Sequence, residues 1–247
     1  MKKIVFSLFA TSLLLTQVAR SEVKIGDGTL TFNAAVNSRY IARGIEQNNK
    51  KVTPSVGTDF NTPIKTPAGE FGLYLGAWAS KSAYNTGANR ELDIYGGITK
   101  AIGPATLDLG YIAYDYSSAR FTDVNNAELY LKLTVAPDKS PFTFGLQYFK
   151  DDTGGAKYGN GLSANATGAV IEKNYKEVNA TYDFGVLQSK LSYGLFDSDT
   201  KTTTLNLSKS VLDATVTASF VDAKKDGSNS SIATDQKTFI LGVSKTF

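Results

Sequence analysis

The sequence contains no cysteine and no histidine. The first absence rules out a disulfide framework and any thiolate metal site. The second removes the commonest general base and transition-metal ligand. The Ser-His and Asp-His chemistries of lipases, acyltransferases and proteases therefore cannot be built from this chain. No enzyme activity, cofactor or metal is expected. Proline is scarce at 6 residues, and there is one tryptophan and one methionine. Beyond the first 20 or so residues no apolar run approaches the length of about 20 needed for a spanning helix. Net charge is also small. The full chain is formally +3, but Lys2, Lys3 and Arg20 carry that excess, so residues 22–247 are formally neutral. No basic block interleaved with aromatics appears, and no nucleic-acid partner is expected.

Glycine (22 residues), tyrosine (13) and phenylalanine (14) are abundant and suit an all-β chain. At the amino end, Lys2 and Lys3 precede an apolar run from Ile4 to Leu15, and Ala19 and Ser21 flank Arg20. This predicts a secretory signal peptide over residues 1–21, cut before Glu22, with one domain over 22–247. At the other end, Phe239, Leu241, Val243 and Phe247 share one parity and Thr238, Gly242, Ser244 and Thr246 the other. Successive side chains of a strand point to opposite faces, so this is a strand with one apolar and one polar side. Ile240 and Lys245 break the pattern. A strand ending on an aromatic resembles the closing strand of bacterial outer-membrane barrels. Phe247 is then expected to be read by the barrel-assembly machinery.

The same alternation recurs through the chain and predicts about 12 antiparallel strands. The first is expected to run from Gly28 to Arg43. The second should cover Thr53 to Asn61 and end in a turn forced by Pro63 and Pro67. Leu212 is placed on a strand, and the gap near Asp197 among the longer connections. Long polar gaps alternate with short turns, the pattern of a transmembrane up-and-down β-barrel. The longest gap, Asp152 to Glu172, is a candidate surface-binding loop. A soluble sandwich also alternates, but turns its apolar faces inward. The nearly charge-free apolar parity favours the barrel, because charge facing lipid costs up to about 2–4 kcal/mol at mid-depth.

Four segments then read together. They are Tyr40-Ile41-Ala42-Arg43-Gly44-Ile45-Glu46-Gln47, Gly72 to Ser80, Glu91 to Gly97 and Asn126 to Tyr130. In this order the chain resembles the TorF family of outer-membrane porins. The resemblance implies a barrel in the bacterial outer membrane, with lipid around it and a substrate that the family does not define.

The polar parity collects the candidate pore-lining residues: Arg39, Arg43, Asp59, Trp78, Glu91, Asp93, Asp108, Glu128, Lys132, Glu177, Asp183 and Lys190. Such residues line a water path and set ion selectivity, or pair across a filled interior and hold it shut. Barrels of about 8 strands are filled and barrels of about 16–18 carry a channel, so 12 lies between. The expected function is passive diffusion of small hydrophilic solutes or ions through a narrow lumen. The alternative is a plugged structural or ligand-binding barrel. Arg39 and Arg43, four apart on one strand face, are expected to form a constriction with Glu91 and Asp93 that attracts anions or a zwitterion. The alternative for them is a ladder of ion pairs. Tyr40, Phe60, Phe71, Tyr148 and Tyr182 are expected in interfacial girdles. Asp151-Asp152-Thr153-Gly154-Gly155 lacks the ligand spacing of a calcium loop and reads as a solvated turn.

Overall fold

Alternating apolar and polar residues drive this chain into strands, and the strands close on themselves. The computed structural model describes residues 22–82, 90–116, 126–152, 174–197, 200–226 and 235–247, and none of them is helical. The expected signal peptide, most of the Asp152 to Glu172 loop and residues 153–155 of the acidic turn lie outside the described residues.

The strands are β1 (Val23–Ile25), β2 (Gly28–Asn37), β3 (Ile41–Ala42), β4 (Ile45–Glu46), β5 (Thr53–Thr66), β6 (Gly69–Ser80), β7 (Glu91–Ile102) and β8 (Ala105–Asp115). They continue as β9 (Asn126–Val135), β10 (Phe142–Asp151), β11 (Tyr175–Asp183), β12 (Gln188–Phe196), β13 (Thr200–Val211), β14 (Ala214–Lys225) and β15 (Gln236–Thr246). From β5 to β15 each strand pairs antiparallel with the next, and β2 pairs with both β15 and β5. The result is a closed antiparallel ring of twelve strands, with β1 added beside β2 and β3–β4 forming a separate hairpin. At the seam, Phe32 and Phe247 exchange backbone hydrogen bonds of 3.0 and 2.7 Å. β1 then continues the row that β15 leaves, with Val23 opposite Leu30. Closure removes the free sheet edges that would otherwise template aggregation.

The register puts every strand's apolar parity on the outside. Leu109 lies opposite Leu131, Leu191 opposite Leu205, and Phe220 opposite Phe239. These side chains stay open: Leu75 is 59% exposed and Leu241 52%. A soluble sandwich required the same residues inside, and they are outside. A contiguous apolar band of this kind is foreign to a water-facing monomer surface.

Four expectations need correction. β2 ends at Asn37, not Arg43, because the chain leaves the wall at Ser38. β5 runs straight through Pro63, which pairs with Gly72. The β2–β5 ladder ends at Asn61, so β5 has an open edge there, where a strand tolerates proline. The turn is instead made at Pro67 and Ala68, followed by Gly69 with φ of 98°. Leu212 sits in a turn with φ of 53° and is 95% exposed. The gap at Asp197 spans only residues 197–199. That short gap lies at the same end as segment 38–52, while the other short turns fall at the end that carries Glu22 and Phe247.

Inside, aromatic and small residues interlock. Tyr74, Tyr95, Ile112, Tyr130, Phe149, Tyr175 and Phe196 form a buried cluster on β6 to β12. Glycines on neighbouring strands make room for the rings. A Cβ at Gly110 would land on the Tyr74 and Tyr130 hydroxyls, and one at Gly194 on the Tyr175 ring. This is how alternating small and large residues fit a tightly curved interior.

Candidate functional site

The lumen has two unlike walls. From β13 through β14 and β15 to β2, inward positions are almost all small and uncharged, such as Thr202, Asn206, Ser219, Thr238 and Asn33. From β5 to β12 they carry the aromatic cluster and the charges. There Tyr74 donates to Asp108 Oδ1 at 2.6 Å and shares a 2.5 Å hydrogen bond with Tyr130. Tyr95 donates to Asp59 Oδ1 at 2.5 Å.

Between β2 and β5 the chain turns inward. Segment 38–52 crosses the lumen at the end opposite Glu22 and Phe247, and it contains the Tyr40-to-Gln47 motif. Arg43 and Gly44 take φ of 50° and 86°, which ends any strand there. Arg43 Nη1 and Nη2 donate to Glu128 Oε1 and Oε2 at 2.7 and 2.9 Å, a bidentate pair. The guanidinium also lies 4.1 Å from the Phe149 ring centre and 4.8 Å from that of Tyr175. Burial opposes its charge, and Glu128 overcomes that cost and pushes the guanidinium up from its ordinary value. Thr202 on the opposite wall donates to the Arg43 carbonyl at 3.1 Å. Gly44 is needed there, since a Cβ would meet the Thr202 hydroxyl and Ala223. Ile45 packs on the aromatic cluster.

Tyr40 donates to Glu91 Oε1 at 3.0 Å and sits edge-on to Trp78 at 5.6 Å. Burial, with Glu91 and Asp93 nearby, raises its hydroxyl well above the ordinary value, so it stays a donor. Gln47 returns the segment to the wall. Its N–H donates to Tyr40 O at 2.8 Å, and its carbonyl accepts from Ser82 at 3.1 Å.

Most candidate pore-lining residues do face the lumen: Asp59, Trp78, Glu91, Asp93, Asp108, Glu128, Lys132, Glu177 and Lys190. Asp183 does not join them. It lies exposed at the β11–β12 turn and caps the Gly185 N–H at 2.7 Å. Arg39 and Arg43 are not on a strand face, and neither presents a free charge to an anion. Arg39 is ion-paired with Glu46 within the segment, and Arg43 is held by Glu128. Neither the anion-attracting constriction nor a cross-strand ladder forms: each arginine is tied in a separate ion pair from the inner segment. Tyr40 is not in a girdle but inside the barrel. The inner aromatics Tyr74, Tyr130, Phe149 and Tyr175 were not among the candidates, although their polar parity and the glycines facing them were signals that could have marked them.

Lys132 lies 3.8 Å from Asp108, and Lys190 4.0 Å from Glu177. Among the described residues, these pairs and those of Arg39 and Arg43 leave Asp59, Glu91 and Asp93 as lumen carboxylates without an ion-pair partner.

A closed ring, apolar outside and polar inside, with a segment folded into its lumen, defines a porin-like β-barrel. The chain belongs to the family described as "Bacterial protein of unknown function (Gcw_chp)", whose model matches residues 24–247. That family, rather than TorF, is the one the match establishes. No curated protein matches the sequence. Among solved structures, the chain is similar to one described as "Unveiling the Mechanism Behind the in-meso Crystallization of Membrane Proteins". That match has a TM-score of 0.52 and 11% identity, and covers 88% of this chain and 83% of the other. It is also similar to the KdgM porin, with a TM-score of 0.49 and 14% identity over 88% of this chain and 99% of that one. For the NanC porin the values are 0.49 and 12%, over 87% and 98%. At 11% identity the first of these likenesses is one of fold.

Proposed function

We propose that the chain is a bacterial outer-membrane channel. It lets small hydrophilic solutes and ions diffuse passively through a lumen throttled by segment 38–52. The supporting observation is the parity of the ring, with the large aliphatic side chains mainly outward and the charged and polar ones, together with the aromatic cluster, mainly inward. Lipid is the surrounding that makes such an exterior stable. The TorF resemblance and the expected leader agree with this location.

Cations pass ahead of anions. On the wall strands Asp59, Glu91, Asp93, Asp108, Glu128 and Glu177 outnumber Lys132 and Lys190, even with Arg43 of the inner segment set against Glu128. Rings of carboxylates favour cation passage. The test is reconstitution of the refolded barrel in a planar bilayer under a KCl gradient. Discrete steps that scale with salt, with a reversal potential on the cation side, support the reading; an anion-side potential overturns the selectivity.

The Arg43–Glu128 latch favours a second reading, a barrel kept shut for a structural or ligand-binding role. Under that reading the protein stays silent in the bilayer, and so does its Arg43→Ala variant.

A further inference from the structure

We propose that Glu91 and Asp93 hold a divalent cation of the hard, oxygen-seeking class, of calcium size, beneath segment 38–52. The inference rests on the reading of the interior as a water-accessible lumen. Both residues share the inward face at the start of β7 and are only 2% and 6% exposed. Tyr40 and Tyr116 both donate to Glu91 Oε1, at 3.0 and 3.2 Å. Glu91 Oε2 and Asp93 Oδ1 are buried and have no hydrogen-bond partner among the described residues.

Buried carboxylate oxygens without partners carry a large desolvation cost and are stable only when something compensates them. Arg43 attracts both carboxylates through space but makes its hydrogen bonds to Glu128, whose charge it already balances. Lys132 and Lys190 stand beside Asp108 and Glu177. Glu91, Asp93 and Glu128 against the single charge of Arg43 leave a net of two negative charges when all are ionised, which a divalent ion neutralises. The free ligand atoms are all oxygens. A site with two carboxylates and several waters suits calcium, which takes about 6–8 oxygens in flexible geometry.

The experiment uses the refolded full chain in detergent micelles. Tb3+ is added and its luminescence excited through the neighbouring Tyr40 and Tyr116 rings, then competed with CaCl2. Saturable luminescence that Ca2+ displaces is expected, weakened at least tenfold in Glu91→Gln/Asp93→Asn and unchanged in Asp183→Asn at the far turn. Absence of saturable binding, or equal binding by the double variant, overturns the proposal and leaves the pair sharing a proton instead. Heat-shifted gel mobility verifies that each variant is folded, and Asp93→Asn alone replaces the double variant if that one is not. Conducting steps without Tb3+ binding reject this inference only; binding without conductance rejects the channel reading only.

Discussion

Arg43 and Glu128, 85 residues apart in the chain, meet in a bidentate pair inside the barrel, flanked by the Phe149 and Tyr175 rings. The pair ties segment 38–52 to the wall. Arg43→Ala leaves Glu128 buried without its partner, a loss of about 3–5 kcal/mol. The expected outcome is a lower urea midpoint for the purified barrel and a larger single-channel conductance, read on the same preparation. An unchanged conductance means that the segment does not throttle the lumen.

Gly110 lies under the Tyr74 and Tyr130 hydroxyls. Gly110→Val forces those rings apart and breaks their contacts with each other and with Asp108. Overpacking of this kind costs about 1–3 kcal/mol. The temperature at which the folded, fast-migrating gel band disappears should fall. Gly103→Val at an open turn has no such neighbour. It lies at φ of 58°, however, so it carries backbone strain without packing strain and separates the two effects.

Leu131 points outward midway along β9 and is 49% exposed. If hydrocarbon surrounds it, Leu131→Arg destabilises the barrel in lipid vesicles by about 2–4 kcal/mol. In a water-facing position the same change is nearly neutral. Urea titration of vesicle-inserted protein distinguishes the two.

Asp59 accepts from Tyr95 and has no ion-pair partner among the described residues. Asp59→Asn removes a lumen charge without exposing a cation. The reversal potential under a KCl gradient should move toward zero, and more so at low salt, where screening is weak.

Much of the barrel was legible because side-chain parity has a period of two wherever one face is apolar. Leu129, Leu131 and Leu133 against Glu128, Tyr130 and Lys132 settle their own orientation. The polar run from Glu46 to Lys51 reads as a loop, but the departure of residues 38–45 from the wall was not legible by that route. Tyr40 and Arg43 differ in parity by an odd step, and alternation continued through them looks like more strand. The clue to departure was Gly44, which tolerates the left-handed backbone found there. Pro63 misled in the opposite way, since proline breaks a strand only where both edges are paired. Asp183 had the inward parity but lay at the strand end, where Gly185 turns the chain and the carboxylate caps the turn instead. Which charges pair across the lumen depends on strands far apart in sequence, as with Arg43 and Glu128, and no local pattern encodes it.

The central claim is that polar residues face water inside the ring and apolar ones face lipid outside. The chain has no native cysteine, so single cysteines report position by position. Five consecutive sites on β14 suffice: Val216, Thr217, Ala218, Ser219 and Phe220, each replaced by cysteine in protein inserted into vesicles. A charged, water-borne thiol reagent should modify positions 217 and 219 and spare 216, 218 and 220. Equal modification of all five, or labelling of 216, 218 and 220 alone, would contradict the account.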